Sequence, residues 1–218
     1  MILRQKPSEE NLVPSPNPGG AAYTGGLVNL GYIARDFNKT VSYTATDDLS
    51  GFASSNTVNE TGSFTINTAI AGLGLSQTSY VSDRAGNRAS ITFNYNVLAL
   101  DDFMGMLKPI TDGGVYKRNR NLPVKLAIFD EDGIQQQMGA GDLTFILELY
   151  KRDGTNWVTT PFRRTNSSTL GDEEFKLSSD GYQYSFNLNT KDLDLGEYKL
   201  EINLLTGGSC GFIEFTLR

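Results

Sequence analysis

Residues 90–97 read SITFNYNV and residues 197–205 read EYKLEINLL. In the first stretch Ile91, Phe93, Tyr95 and Val97 alternate with Thr92, Asn94 and Asn96, and in the second Tyr198, Leu200, Ile202 and Leu204 recur at every other position. A period of two is the spacing of a β-strand with one buried and one wet face. The pattern repeats outward from both stretches. Val41, Tyr43 and Ala45 share a face in residues 40–46, residues 62–67 and 77–82 are shorter candidates, and a first strand falls within 27–33. In the second half Val124, Leu126 and Ile128 group together, as do Leu143, Phe145, Leu147 and Leu149. Tyr182, Tyr184, Phe186 and Leu188 form the next set, and Ile213, Phe215 and Leu217 the last. Turn chemistry separates the runs at Asp132-Gly133, Asp153-Gly154, Asp180-Gly181 and Gly207-Gly208. The expected fold is all-β, with two tandem antiparallel β-sandwich-like domains.

Composition narrows the chemistry. The chain of 218 residues carries 19 Lys and Arg against 25 Asp and Glu, a net charge of −6 with no basic run, which disfavours nucleic acid as a partner. It has no histidine, which removes His-based triads and His metal ligands. Its single cysteine, Cys210, excludes an internal disulfide and a Cys-based zinc site. No stretch approaches the roughly 20 apolar residues of a membrane span. The first residues, Met1 to Pro7, lack the apolar core of a signal peptide, which leaves either a cytoplasmic protein or a piece of a longer one whose leader lies upstream, the reading that the resemblance described below favours. Residues 1–20 read as a Pro-rich linker or tail, 21–98 as the first sandwich, 99–102 as a junction and 103–218 as the second sandwich. Within this scheme 97–108 is ambiguous: its apolar spacing suits a helical turn, which Gly105 and Pro109 oppose.

Two motifs in the first half carry a resemblance. Residues 46–51 read TDDLSG and residues 82–87 read SDRAGN. The pairing of a D-x-x-S-G loop with a D-x-A-G-N turn resembles bacterial extracellular Ig-like repeats over about residues 27–98. In the second half, FMGMLKPI at 103–110 and VYKRNRNLPVKLAIF at 115–129 look like the bacterial PxKF domain. Phe103, Gly105, Pro109 and Ile110 match its opening, and Pro123, Val124 and Lys125 its strand, with Leu126 where the family usually has Phe. Tyr182-Gln183-Tyr184, Gly196 to Leu200 and Phe215-Thr216-Leu217 fit its closing strands. The resemblance implies a non-catalytic structural or adhesive module from the C-terminal end of a secreted or surface-attached bacterial protein, located outside the cell or on its surface. Its partners would be other domains of the same protein, and a glycan or surface protein. The alternative is a carbohydrate-binding accessory module of a secreted hydrolase.

The carboxylates sit mostly in expected turns, where Asp is common for local hydrogen bonding. The functional reading of Asp47, Asp48, Asp83, Asp101 and Asp102 is calcium, which takes oxygen ligands from such loops. Trp157 and the ten tyrosines offer a sugar-stacking platform or serve packing. Lys125 reads as a candidate for an isopeptide bond to an Asn such as Asn203, assisted by Glu148 or Glu214, or else as an outward Lys on an edge strand or a stem buried with its head in water. The basic turn Lys117-Arg118-Asn119-Arg120 reads as a solvated loop or an acidic-ligand contact.

Overall fold

The computed structural model describes residues 12–16, 27–46, 59–82, 88–165 and 176–218, and within them the secondary structure is strand and turn without a helix. The strands are β1 (Leu12–Pro16), β2 (Leu27–Ala34), β3 (Lys39–Thr46), β4 (Asn59–Ile66), β5 (Gly72–Ser82), β6 (Arg88–Leu100), β7 (Phe103–Leu107) and β8 (Gly114–Tyr116). They continue as β9 (Asn121–Ile128), β10 (Phe145–Asp153), β11 (Asn156–Thr165), β12 (Lys176–Leu177), β13 (Tyr184–Asn189), β14 (Gly196–Leu204) and β15 (Ser209–Leu217). The chain forms two compact units: Met1–Leu30, Asn38–Thr68 and Gly74–Tyr95 in the first, and Gly31–Phe37, Ala69–Leu73 and Asn96–Arg218 in the second.

In the first unit β3 lies between β1 and β4, both antiparallel to it. The Pro-rich stretch expected as a linker therefore contains a strand, with Leu12 opposite Ala45 and Pro16 opposite Val41. Pro14 and Pro16 are compatible with that role because β1 is at the sheet's edge. Their spacing of two also puts both missing N–H groups on the same side of the strand. Val41 and Ala45 of β3 are buried, as are Ile91, Phe93 and Tyr95 of β6, in the alternation that the sequence displays. The rings of Phe64 and Phe93 meet edge to face at 5.1 Å. The Tyr95 hydroxyl, at the margin of this core, donates to the Asn67 carbonyl at 3.1 Å.

The second unit is a sandwich. One sheet has the order β11-β10-β14-β15-β8. Facing it, β12, β13, β9 and β7 follow in order, extended by residues 96–100 of β6 and 31–34 of β2. Most pairings are antiparallel, but β15 with β8 and β6 with β7 run parallel. The segment with ambiguous spacing is thus strand, turn, strand. Asp101 and Phe103 carry positive φ values of 65° and 66° where β6 gives way to β7. Between the sheets lie Leu147, Leu149, Tyr198, Leu200, Ile202 and Phe215 from one side, and Val124, Leu126, Ile128, Tyr184 and Phe186 from the other. Phe145 and Tyr184 join the layers edge to face at 4.8 Å, and Tyr198 stacks on Phe215 at 5.6 Å. Each such side chain contributes about 1.5–3 kcal/mol when fully buried. Tyr182, expected inside with Tyr184, is 40% exposed, because it precedes β13 and sits in the turn after Asp180.

Segments from the first half complete this core. Ala34 is fully buried in it, and Tyr32, Phe37 and Leu73 pack against it. The turn between β14 and β15 meets them: the Thr206 hydroxyl donates to the Tyr32 carbonyl at 2.7 Å. Gly207 and Gly208, at φ 114° and 86°, lie so close to Phe37 that a Cβ on Gly208 would come within 2.8 Å of the Phe37 Cβ and 2.9 Å of the Ala34 Cβ. Gly208→Val is expected to lower stability by about 2–4 kcal/mol, the sum of a forbidden φ and an overpacked contact. Urea denaturation measures it, and an unchanged midpoint would show that the turn does not press on residues 34–37.

Candidate functional site

Strand alternation assigns β14 two faces. Tyr198, Leu200 and Ile202 point into the core, so Glu197, Lys199, Glu201 and Asn203 line the outer face of the five-stranded sheet. The register extends that face across its neighbours. Arg152, Tyr150 and Glu148 of β10 stand opposite Glu197, Lys199 and Glu201, and Trp157 of β11 stands opposite Arg152. On the other side Glu214 and Phe212 of β15 stand opposite Lys199 and Glu201.

These side chains are tied to one another. The Arg152 guanidinium lies 6.0 Å from the Trp157 ring centre and makes a 2.6 Å ion pair with Glu197. The Lys199 ammonium lies 4.4 Å from the Tyr150 ring centre, 5.3 Å from that of Phe212 and 3.9 Å from the Glu201 carboxylate. The Tyr150 hydroxyl donates to Glu148 at 3.2 Å, and the Asn203 amide donates to the same carboxylate oxygen at 3.4 Å. Glu148 and Glu201 are directly opposed like charges, a destabilising arrangement in a sheet, and these donors offset it. Desolvation first, then the negative field of Glu148 and Glu201, pushes the Tyr150 hydroxyl up to about 12. Phe212 remains 49% exposed on this surface.

Other residues singled out by sequence fall elsewhere. Asp47, Asp48 and Asp83, three of the expected calcium ligands, lie outside the described residues. Of the other two, Asp102 holds Arg35 at 3.3 Å and Asp101 sits in the turn before it. Both border an open cavity of about 450 Å3, shared with Phe103, Phe129, Asp130 and Glu131. Asp130 is engaged locally, accepting from the backbone N–H groups of Asp132 and Ile134 and from the Gln136 amide. Among the described residues no group of three or more acidic or thiol side chains is placed to hold a metal ion. Asp112, Asp142 and Asp180 likewise accept from nearby backbone N–H groups.

The isopeptide geometry does not form. Lys125 is on β9, opposite Ser185 and Leu107, while Asn203 is on β14 in the other sheet. Asn203 and Glu148 do meet, but the ammonium on their face belongs to Lys199. In the basic turn, Asn119 adopts φ 62°, and Arg118 donates to the Lys191 carbonyl at 3.2 Å. Behind it the fully buried Thr190 hydroxyl bonds both the N–H and the carbonyl of Arg120. Trp157 is half-buried at its place on the outer face.

No family model matches the chain, and no curated protein matches it. Solved structures similar to it include SGBP-B of the mixed-linkage glucan utilization locus of Bacteroides ovatus, in complex with a mixed-linkage heptasaccharide. That likeness has 11% identity and a TM-score of 0.25, covering 86% of this chain and 42% of that one. Another is with the fibronectin(III)-like modules of Clostridium thermocellum CbhA, at 10% identity and TM-score 0.28, covering 94% and 92%. A tandem of titin Ig domains is similar at 8% identity and TM-score 0.25, covering 94% and 97%. This chain thus spans less than half the length of SGBP-B. No helix among the described residues is long and apolar enough to cross a membrane.

Burial sets a pH dependence. Tyr150 and Tyr184 are both pushed up to about 12 from 10.0, and Cys210 to about 12 from 9.0, each with desolvation as the leading cause. Below about pH 8 all three are protonated in folded and unfolded chains alike and add no slope. Above it the unfolded chain releases protons that the folded chain retains, the thiol first and the two phenols near pH 10, so stability falls as pH rises from about 8 to about 12. Urea midpoints across this range are expected to drop, with a shallower drop in Tyr150→Phe. Parallel curves for the two proteins would mean that Tyr150 titrates normally.

Proposed function

We propose that the chain is a non-catalytic adhesive or structural module of a secreted or surface-attached bacterial protein, with an Ig-like first unit followed by a PxKF-type second unit near that protein's C-terminal end. The observation that carries the reading is the outer face of the five-stranded sheet. There an exposed ring, Phe212, stands among side chains fixed in place by cation–π contacts and ion pairs. A surface ordered in advance loses less entropy when it binds, which is the requirement of a contact surface.

The PxKF-type assignment is supported by what its motif residues do. Ile110 is fully buried. Gly105 sits where a Cβ would come within 3.0 Å of the Phe129 ring. Val124 and Leu126 face the core, and Tyr184, Tyr198 and Phe215 supply its aromatic centre. These motif residues serve the core, while Pro109 and Tyr182 of the same motifs are exposed.

Beads coated with the chain are expected to adhere to envelopes of the bacterium that produces it. Phe212→Asp and Trp157→Ser should lose most of that adhesion, whereas Tyr182→Ser, which alters an exposed aromatic off this face, should keep it. Equal adhesion by all variants would overturn the assignment of the face. Hydrolysis of an envelope polymer that disappears in Glu148→Gln would overturn the non-catalytic reading, since Glu148 and Glu201 are the one opposed carboxylate pair on this surface among the described residues.

A further inference from the structure

The outer face of the second unit repeats one arrangement. An aromatic ring is held by a cation from a neighbouring strand, and that cation is neutralised by a glutamate. Trp157 is held by Arg152, which Glu197 neutralises at 2.6 Å. Tyr150 and Phe212 are held by Lys199, which Glu201 accompanies at 3.9 Å. The pairing of the strands sets the rings on a diagonal. Trp157 is opposite Arg152, Tyr150 is two residues along β10, and Phe212 is two residues beyond the partner of Lys199 on β15. With strands about 4.8 Å apart and about 6.8 Å per two residues, three strand spacings and two such steps give about 20 Å. That is the length of a short chain of sugar rings.

We propose that this diagonal is a binding site for an uncharged oligosaccharide, with Phe212 and Trp157 as stacking surfaces and Glu148, Glu201 and Asn203 as hydroxyl partners. The inference rests on the adhesive reading above and names its ligand. Charge decides the class. Among the described side chains of the face, Arg152 and Lys199 each have a carboxylate and Glu148 and Glu214 are carboxylates in excess of them, so the surface presents no positive field to draw in a polyanion. What stays available is apolar ring surface beside fixed acceptors and donors, and a polyhydroxylated, uncharged chain matches both. Phe212 is half exposed, while the side chains of Lys199 and Glu201 are only 16% and 21% exposed. The ring thus rises beside a covered ion pair, while the Arg152–Glu197 pair at the Trp157 end is about half exposed. Lys199 also fixes the planes of the two rings it touches, so little side-chain freedom is lost on binding.

The chain has one tryptophan, so Trp157 reports on the site directly. Soluble neutral glucan, galactomannan and arabinoxylan are the probes, with polygalacturonate and heparin as charged comparisons. Their binding is read by affinity electrophoresis and by Trp157 fluorescence. At least one neutral polymer is expected to retard the protein and to shift the fluorescence saturably. Phe212→Ala should bind about tenfold more weakly, the loss expected for one aromatic anchor. Trp157→Phe should remain folded, lose the optical signal and still be retarded, while Tyr182→Ala should match the native chain. Retardation by the charged polymers alone, or equal retardation of the native and Phe212→Ala proteins by a neutral one, would overturn the site. Beads that adhere through this face while no neutral polymer binds would sink the saccharide and leave the adhesive reading standing. Failure of both would remove the two together.

Discussion

The pairing of β14 between β10 and β15 is the constraint from which the second unit follows. Side chains alternate strictly along a strand, so burying Tyr198, Leu200 and Ile202 fixes where Glu197, Lys199 and Glu201 must go. A slip of one residue would put three charges into the core and three large apolar groups into water. The same hydrogen-bond ladder thus holds the core and composes the outer face of the sheet. Neither can change its register without the other.

Charge on that surface is managed locally. Opposed glutamates on adjacent strands repel, and the fold accommodates Glu148 and Glu201 through a tyrosine hydroxyl, an amide and an ammonium. The rings take part as well, since a cation over an aromatic face is attracted by the ring's quadrupole. The two cations described on that face, Arg152 and Lys199, each stand beside a glutamate, and the acid excess of the chain persists there in Glu148 and Glu214. Elsewhere Asp130 is held by three donors of its own loop and Asp112 by the backbone N–H of Glu214, while Asp102 and Asp194 pair with Arg35 and Lys151.

The sequence displays the inward residues of the central strands plainly. Val124, Leu126 and Ile128, then Leu147 and Leu149, then Ile213, Phe215 and Leu217 all lie in the core where period two places them. Five strands are not legible by period: β7, β8 and β12 are only 5, 3 and 2 residues long, and β1 and β11 carry proline. β1 was obscured by prolines, which an edge strand tolerates and a central one does not. β11, reading NWVTTPFRRT, was obscured by Pro161 and by the irregularity opposite Glu148 to Tyr150, which breaks the alternation. The face itself was half legible. Trp157 stood out by its residue type, but Lys199, Glu201 and Phe212 are ordinary residues until strand register joins them. The edge-strand reading of Lys125 fails for the same reason: period two gives its direction, but only the order of strands shows that β9 is paired on both sides, by β13 and β7, and lies in the sheet opposite Asn203.

The second unit draws part of its core from residues 31–37 and 69–73, which the chain reaches long before the main body of that unit. Genes for multidomain β-proteins often grow by copying or trading whole modules. A cut placed at the apparent joint near residue 100 would deliver a cassette without Tyr32, Ala34, Phe37 or Leu73. Recombination is therefore expected to keep this pair together, so that the two units pass from one protein to another as a single heritable piece.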